Sequence, residues 1–201
     1  FNVEKCTVMH IGAHKRKSDY SMAEQRLTEV NQQRDLGILI TDDLKWRNQV
    51  DASFNKSNRV LGFISRNFHY KDKDIMLPMY TSLVRPHLEF AIQFWSPHLR
   101  GDINKMERIQ HRATKMIPEL RFKTYPQRLE ELKLISLERR RLRGQLIETY
   151  KYLNGFTKAS PEGLFDRDPN QRNRNNGQKL QLKPFRTSVA ENFFPIKIPT
   201  I

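Results

Sequence analysis

The sequence predicts an α+β chain, with a small antiparallel strand cluster at the N-terminus followed by a mainly α-helical bundle. Three observations carry this. Apolar residues follow an extended or alternating pattern up to about residue 40. From about residue 44 they recur at helical spacing. Helix-capping and helix-stopping residues then punctuate the chain as far as Gly155.

Val8, Met9 and Ile11, stopped by Gly12, read as a buried strand. Ala13 to Asp19 is a polar, basic turn. Tyr20-Ser21-Met22 and Leu27-Thr28-Glu29-Val30 alternate with period two, and Ala23-Glu24-Gln25-Arg26 between them suggests a hairpin. Leu36-Gly37-Ile38-Leu39-Ile40 is a further strand, whose Gly37 permits close backbone approach.

The period then changes. Val50, Phe54, Leu61, Ile64 and Phe68 form a helical stripe, with Asp42 or Asp43 as N-cap, while Lys56, Arg59 and Arg66 share another face with Phe63. Asp72 caps a second helix carrying Ile75, Met79, Leu83 and Val84, which Pro86 should end or kink. His87 to Trp95 reads as a separate helix, closed by Trp95-Ser96-Pro97. Asp102 caps a helix with Ile103, Met106, Ile109, Ala113, Met116 and Ile117 inward, and Lys105, Arg108, Arg112 and Lys115 outward. Tyr125-Pro126 opens a short helix with Leu129 and Leu132. Ser136 caps a longer one with Leu142, Leu146, Tyr150 and Leu153 inward, stopped at Asn154-Gly155. Residues 158–178, rich in Asn, Arg, Pro, Gly and Asp, read as a loop or disordered linker, and Phe193-Phe194, Ile196 and Ile198 form a last apolar patch.

Charge narrows the function classes. The 201 residues carry a formal net charge of +14, and hydrophobic residues make up 37%, so the core is lean. The excess is uneven: residues 1–44 are nearly neutral, and residues 100–153 are the most basic stretch. Cationic helices favour a polyanion, because Lys and Arg displace condensed counterions from phosphates. No apolar run approaches a membrane span, so no membrane partner is expected. The single cysteine, Cys6, excludes a disulfide framework and suggests a reducing compartment. Cys6, His10 and His14 are spaced by four, but the strand reading of residues 6–12 separates them and no metal site is expected. Ser-His-Asp, HExxH, Walker and Gly-rich nucleotide motifs are all missing. Because the chain opens at Phe1 inside an apparent strand, a piece of a longer protein is expected.

A set of motifs occurs in a telling order: Asn2-x-x-Lys5-Cys6-x-Val8-Met9-His10-Ile11-Gly12, Tyr20-Ser21-Met22, Asp35-Leu36-Gly37-Ile38 and Leu44-Lys45-Trp46 come first. Then follow Leu83-Val84-Arg85-Pro86-His87-Leu88-Glu89-Phe90-Ala91, Trp95-Ser96-Pro97, Glu107-Arg108-Ile109-Gln110-His111-Arg112-Ala113, Tyr125-x-x-Arg128-Leu129, Leu137-Glu138-Arg139-Arg140-Arg141 and Tyr150-Lys151-x-x-Asn154-Gly155. Each is weak alone. Together, from residue 1 to about 194, they resemble the C-terminal part of the reverse transcriptase of non-LTR (LINE-type, jockey-like) retrotransposons.

The resemblance implies palm-edge strands over residues 1–43, thumb-like helices over 44–99, basic C-terminal helices over 100–155, and a loop-rich or partly disordered, truncated tail over 156–201. It implies that Lys5 is the palm lysine near the incoming nucleotide, where a cation would stabilise charge or give a proton to departing pyrophosphate. A surface lysine before a strand is the alternative. Leu36-Gly37 would be the primer grip, a hairpin turn where backbone N–H groups approach a phosphate unobstructed by a side chain. Lys56, Arg59 and Arg66 would be the thumb face that follows the duplex through its phosphates. Arg139, Arg140 and Arg143 would be further phosphate ligands. Three successive helical residues point about 100° apart, so at most two of Arg139, Arg140 and Arg141 share a face, and ion pairs to Glu130, Glu131 or Glu138 are the competing use. Trp46, Trp95, Phe90 and Phe94 would stack on bases or, as their spacing favours, enter the core.

The two-metal aspartates of such polymerases belong upstream of this stretch, and Asp42-Asp43 sits where a helix cap belongs. The resemblance therefore implies no activity for this chain alone, no cofactor of its own, and Mg²⁺ in the N-terminal palm portion. It implies primer–template duplex, the element's RNA and that N-terminal portion as partners, and an intracellular location in nucleus and cytoplasm. A non-enzymatic RNA- or DNA-binding helical module, or a protein-interaction bundle, is the alternative.

Overall fold

In a computed structural model, residues 2–12, 18–158, 163–169 and 179–200 are described. They form an α+β chain of small strand pairs followed by helices. It divides into two compact units, residues 1–52 and 53–201. The expected basic turn at residues 13–17, His14 included, and much of the 158–178 loop lie outside the described residues.

In the first unit, Asn2 caps a single 3-10 turn, its side chain accepting the Glu4 N–H at 3.0 Å. β1 (Thr7–Val8) is shorter than the apolar run around it suggests. A hairpin forms, but not with the expected arms: β2 (Ser21–Met22) pairs with β3 (Gln25–Arg26), inside the expected connector, across a turn of only Ala23-Glu24 at φ +50° and +62°. That is the primed geometry that follows strand twist, adopted here without glycine. β4 (Thr28–Glu29) pairs with β1 in parallel. Among the described residues two strand pairs are antiparallel, as the sequence indicates, and this one is parallel. β5 (Gln32–Asp35) and β6 (Ile38–Thr41) form a second hairpin. β5 is polar and exposed along its length, so alternation gives no sign of it.

A 21-residue helix, α1 (Arg47–Asn67), follows. The expected Asp42 or Asp43 cap is corrected, since the helix starts several residues later. Asp43 instead closes the turn before it, accepting from Thr41 Oγ1 at 2.7 Å and Lys45 N at 3.0 Å. Burial works to raise the Asp43 pKa, but these bonds and the Lys45 ammonium together lower it.

In the second unit, α2 (Lys73–Met79) begins after Asp72 as expected. Pro86 does not stop the helix. One wide turn at Tyr80–Val84, with the bonding of a π-helix, leads directly into α3 (Arg85–Glu89). The wider turn accommodates a proline that has no N–H to give. The separate helix expected over His87–Trp95 is instead the end of α3 and a turn through Ala91 at φ +51°. α4 (Arg100–Lys115) starts before Asp102, which occupies the first turn, where a carboxylate suits the helix dipole. α5 (Tyr125–Glu131) begins at Thr124, whose N–H is accepted by the Gln127 side chain at 2.9 Å. α6 (Leu137–Leu153) begins at Ser136, as the sequence indicates, with the Ser136 hydroxyl accepting from Arg139 N at 3.3 Å. Gly155, at φ +70°, follows its C-cap.

α4 packs on α5 and α6. The inward stripe of α4 holds Met106, Ile109 and Ala113, as expected, together with Gln110 and Thr114; Ile103 and Met116 are partly buried, and Ile117 is buried just past the helix end. The α6 stripe is corrected. Its buried residues are Leu137, Arg141, Gln145 and Thr149, whereas Leu146 and Tyr150 are exposed. Beyond Gly155, α7 (Ser188–Glu191) and α8 (Phe194–Lys197) belong to this unit. Phe194 and Ile198 join Phe165 in a satellite cluster, against which Leu142, Tyr152 and Leu153 also pack.

Candidate nucleic-acid interface

The candidate face is built on α1. At 100° per residue, Lys56, Arg59, Phe63 and Arg66 fall within a sector of about 80°. All four are exposed, Phe63 by 58%. Opposite them Ser57, Leu61 and Ile64 are buried, so packing fixes which way the cations point. Among the described residues none of Lys56, Arg59 and Arg66 has a carboxylate partner. The backbone of α3 lies beside this helix: the Ser53 hydroxyl donates to the His87 carbonyl at a separation of one hydrogen bond. Burial and then the Lys56 charge lower the His87 pKa, so its imidazole is neutral near pH 7.

A neighbouring set of cations is spent differently. Lys105 Nζ and the Arg108 guanidinium lie 5.3 and 6.0 Å from the Phe54 ring centroid, and Arg112 donates to Asn58 Oδ1 at 2.6 Å. The basic face of α4, expected to point outward, therefore helps to hold α4 against α1.

On α6 the arginine run separates as helix geometry requires. Arg139 and Arg143, four residues apart, are exposed on one side. Arg140 is not a third surface ligand. Its guanidinium is bound by Glu89 through both carboxylate oxygens, the second at 3.1 Å, which raises the Arg140 pKa against the effect of burial. Its partner is Glu89 rather than Glu130, Glu131 or Glu138. Arg141 is buried, 4.2 Å from the Trp95 ring centroid, and donates to the carbonyls of Leu88 and Trp95. Of the four candidate stacking aromatics, Trp95 is core, Trp46 is partly buried, and Phe90 and Phe94 are about half exposed.

In the first unit, Leu36 and Gly37 occupy the tip of the β5–β6 hairpin rather than the start of a strand, at φ +45° and +85°. Leu36 is 86% exposed. The Arg34 guanidinium donates to the Gly37 carbonyl at 3.2 Å, so a fixed cation stands at the turn. Lys5 is exposed at the end of the first 3-10 turn. Cys6 donates to the Asn2 carbonyl at 3.3 Å, and His10 lies against Tyr20. Among the described residues no three His, Cys, Asp or Glu side chains converge on a point that would hold a metal. Asp43 is committed to its turn, so the Asp42-Asp43 pair does not offer the paired carboxylates of a two-metal centre. Among the described residues, no helix is long and apolar enough to cross a membrane.

Periodicity alone gives no hint of the polar network under the helices. Glu107 accepts from the Leu137 N–H at 2.9 Å and from the Tyr125 hydroxyl. Gln110 accepts from Tyr80 at 2.8 Å and donates to Tyr125 and the Ile135 carbonyl, each at 3.0 Å. Burial raises the Glu107 and Tyr125 pKa values, and for Tyr125 the Glu107 carboxylate adds to the rise. His111 stacks on Tyr125 and receives Arg128 at 2.9 Å. Several of these residues lie in the Glu107–Ala113 and Tyr125–Leu129 motifs. In this fold their work is to join α4, α5 and the start of α6.

No protein-family model, curated protein or solved structure matches this chain.

Proposed function

We propose that this chain is the nucleic-acid-gripping, C-terminal portion of a reverse transcriptase of a non-LTR retrotransposon, holding a primer–template duplex for an active centre carried by an N-terminal portion. The observation that carries the reading is the α1 face. There, Lys56, Arg59 and Arg66 are exposed without carboxylate partners among the described residues, with the Phe63 ring among them. Such a stripe would follow a phosphate backbone without reading bases, which is what a template-independent grip requires. Arg139 and Arg143 would add charge from α6. The Leu36-Gly37 tip, with Arg34 beside it, has the open backbone a primer grip needs, and Lys5 would face the incoming nucleotide in the complete palm. Magnesium and its aspartates would belong to that other portion, so this chain would not polymerise alone.

The test is binding of an RNA–DNA hybrid duplex to the Lys56→Glu/Arg59→Glu variant. Affinity should fall several-fold at low salt, and the dependence of log K on log salt should flatten by roughly 0.9 for each phosphate that the variant no longer neutralises. Unchanged affinity and slope would refute the assignment of this face.

A second reading, a protein-interaction bundle, draws on the α6 surface, where Tyr150 and Phe156 stack at 6.1 Å and are 61% and 70% exposed. Binding through that surface would persist at high salt, whereas phosphate binding would not.

A further inference from the structure

A cavity of about 300 Å³ lies between the first turns of α4 and α6 and the C-terminal turns, bordered by His98, Arg100, Glu138, Arg141 and Lys197. Its charges do not balance. Arg100 and Glu138 pair at 3.0 Å and cancel. Arg141 and Lys197 remain, and among the described residues neither has a carboxylate within ion-pair distance. Arg141 is only 4% exposed, and its two terminal nitrogens are spent on the Leu88 and Trp95 carbonyls. Its Nε–H is buried without a partner, and so is His98 Nδ1. Two of the four orphaned buried side-chain polar atoms among the described residues thus belong to residues that border one cavity. Burial and the nearby Arg141 charge also lower the Lys197 pKa, the response of a cation crowded by another.

We propose that this cavity binds a phosphate group, with Lys197 as its direct ligand and Arg141 supplying a fixed, buried positive charge beside it. The volume corresponds to about ten water molecules, enough for one tetrahedral oxyanion with part of its hydration. Pro97, Ile103 and Leu142 in the walls keep the local dielectric low and strengthen the attraction. The site is separate from the α1 face and does not depend on the function proposed above.

The test is calorimetric titration of the whole chain with inorganic phosphate, with chloride at matched ionic strength as control. Saturable binding is expected for phosphate alone. Lys197→Gln should weaken it at least tenfold, and Lys197→Arg should restore most of it, which separates loss of charge from loss of fold. Lys56→Glu/Arg59→Glu should bind phosphate normally, so failure here and failure of the duplex grip are distinguishable. A short oligonucleotide with and without a 5′-phosphate identifies the source. Preference of tenfold or more for the phosphorylated form marks a nucleic-acid end, and equal affinity marks a free anion. No saturable binding, or an unchanged Lys197→Gln titration, would overturn the proposal.

Discussion

The guanidinium of Arg141 stands 4.2 Å from the centroid of the Trp95 ring, both side chains being buried. The same guanidinium donates to the carbonyl of Leu88, in the last turn of α3, and to that of Trp95, beyond the helix. Arg141 thus ties α6 to the end of α3 and the turn after it by cation–π attraction and two hydrogen bonds. Arg141→Leu would leave two buried carbonyls without donors and should cost about 3 kcal/mol. Arg141→Lys should recover little, because an ammonium lacks the planar fork. Urea unfolding measures both, and a loss below about 1 kcal/mol for Arg141→Leu would contradict the assignment.

The arginines of α6 should separate in a binding and stability comparison. Arg140→Gln would leave the partly buried Glu89 carboxylate with only its longer, 3.7 Å pairing to Arg85 and should lower the urea midpoint. Arg139→Gln and Arg143→Gln should leave stability nearly unchanged, within about 0.5 kcal/mol, while weakening duplex binding at low salt.

Gln110 should be more costly to replace than a buried apolar neighbour of equal size. Gln110→Leu would remove the partners of the Tyr80 hydroxyl and the Ile135 carbonyl at once. A loss of about 2–4 kcal/mol is expected from two orphaned groups. Thermal unfolding of Gln110→Leu, with Tyr80→Phe and the double variant, would expose the coupling, since the second change should cost less once the first is made.

Stability should fall on acidification below about pH 6.5. The folded-state pKa of His111 is lowered by burial first, then by the Arg128 and Lys115 charges. The unfolded chain therefore takes up protons more readily than the folded one, and stability present above the unfolded value of about 6.5 is lost as pH falls through the lower folded value. Protonation also removes the Nδ1 acceptor used by the buried Arg128. His87, lowered by burial and Lys56, acts in the same direction. Urea midpoints at pH 7.5 and 5.5 should differ less in His111→Phe, which keeps a ring against Tyr125 but does not titrate.

Gly144→Ala should be destabilising despite the better helix propensity of alanine, because a Cβ there would collide with Ile92 Cδ1. Ile92→Val, which removes that atom, should recover part of the loss. Thermal midpoints of the two single variants and the double variant decide it.

Residue order alone reveals where the backbone changes kind. Strand-like segments give way to helices after residue 40, and the α4 stripe of Met106, Ile109 and Ala113 is apolar enough to be read directly. Ser136 and Gly155 mark the ends of α6, since capping and left-handed backbone depend on local residue type. The exposure of Lys56, Arg59 and Arg66 follows from the stripe opposite them.

Which polar residues turn inward emerges only when the helices are packed. On α6 the apolar row Leu142, Leu146, Tyr150, Leu153 is the natural choice, yet Arg141, Gln145 and Thr149 are the buried residues. They are buried because the turn through Phe90–Trp95 presents backbone carbonyls that need donors: Gln145 donates to Ile92 at 3.0 Å, beside the two bonds of Arg141. Hydropathy assigns such residues to the surface, and a carbonyl brought from some fifty positions away in the chain leaves no periodic trace. The same holds for Arg140 and Glu89, and for the parallel pairing of β1 with β4, where the partner is fixed by packing across the chain rather than by the residues next to it.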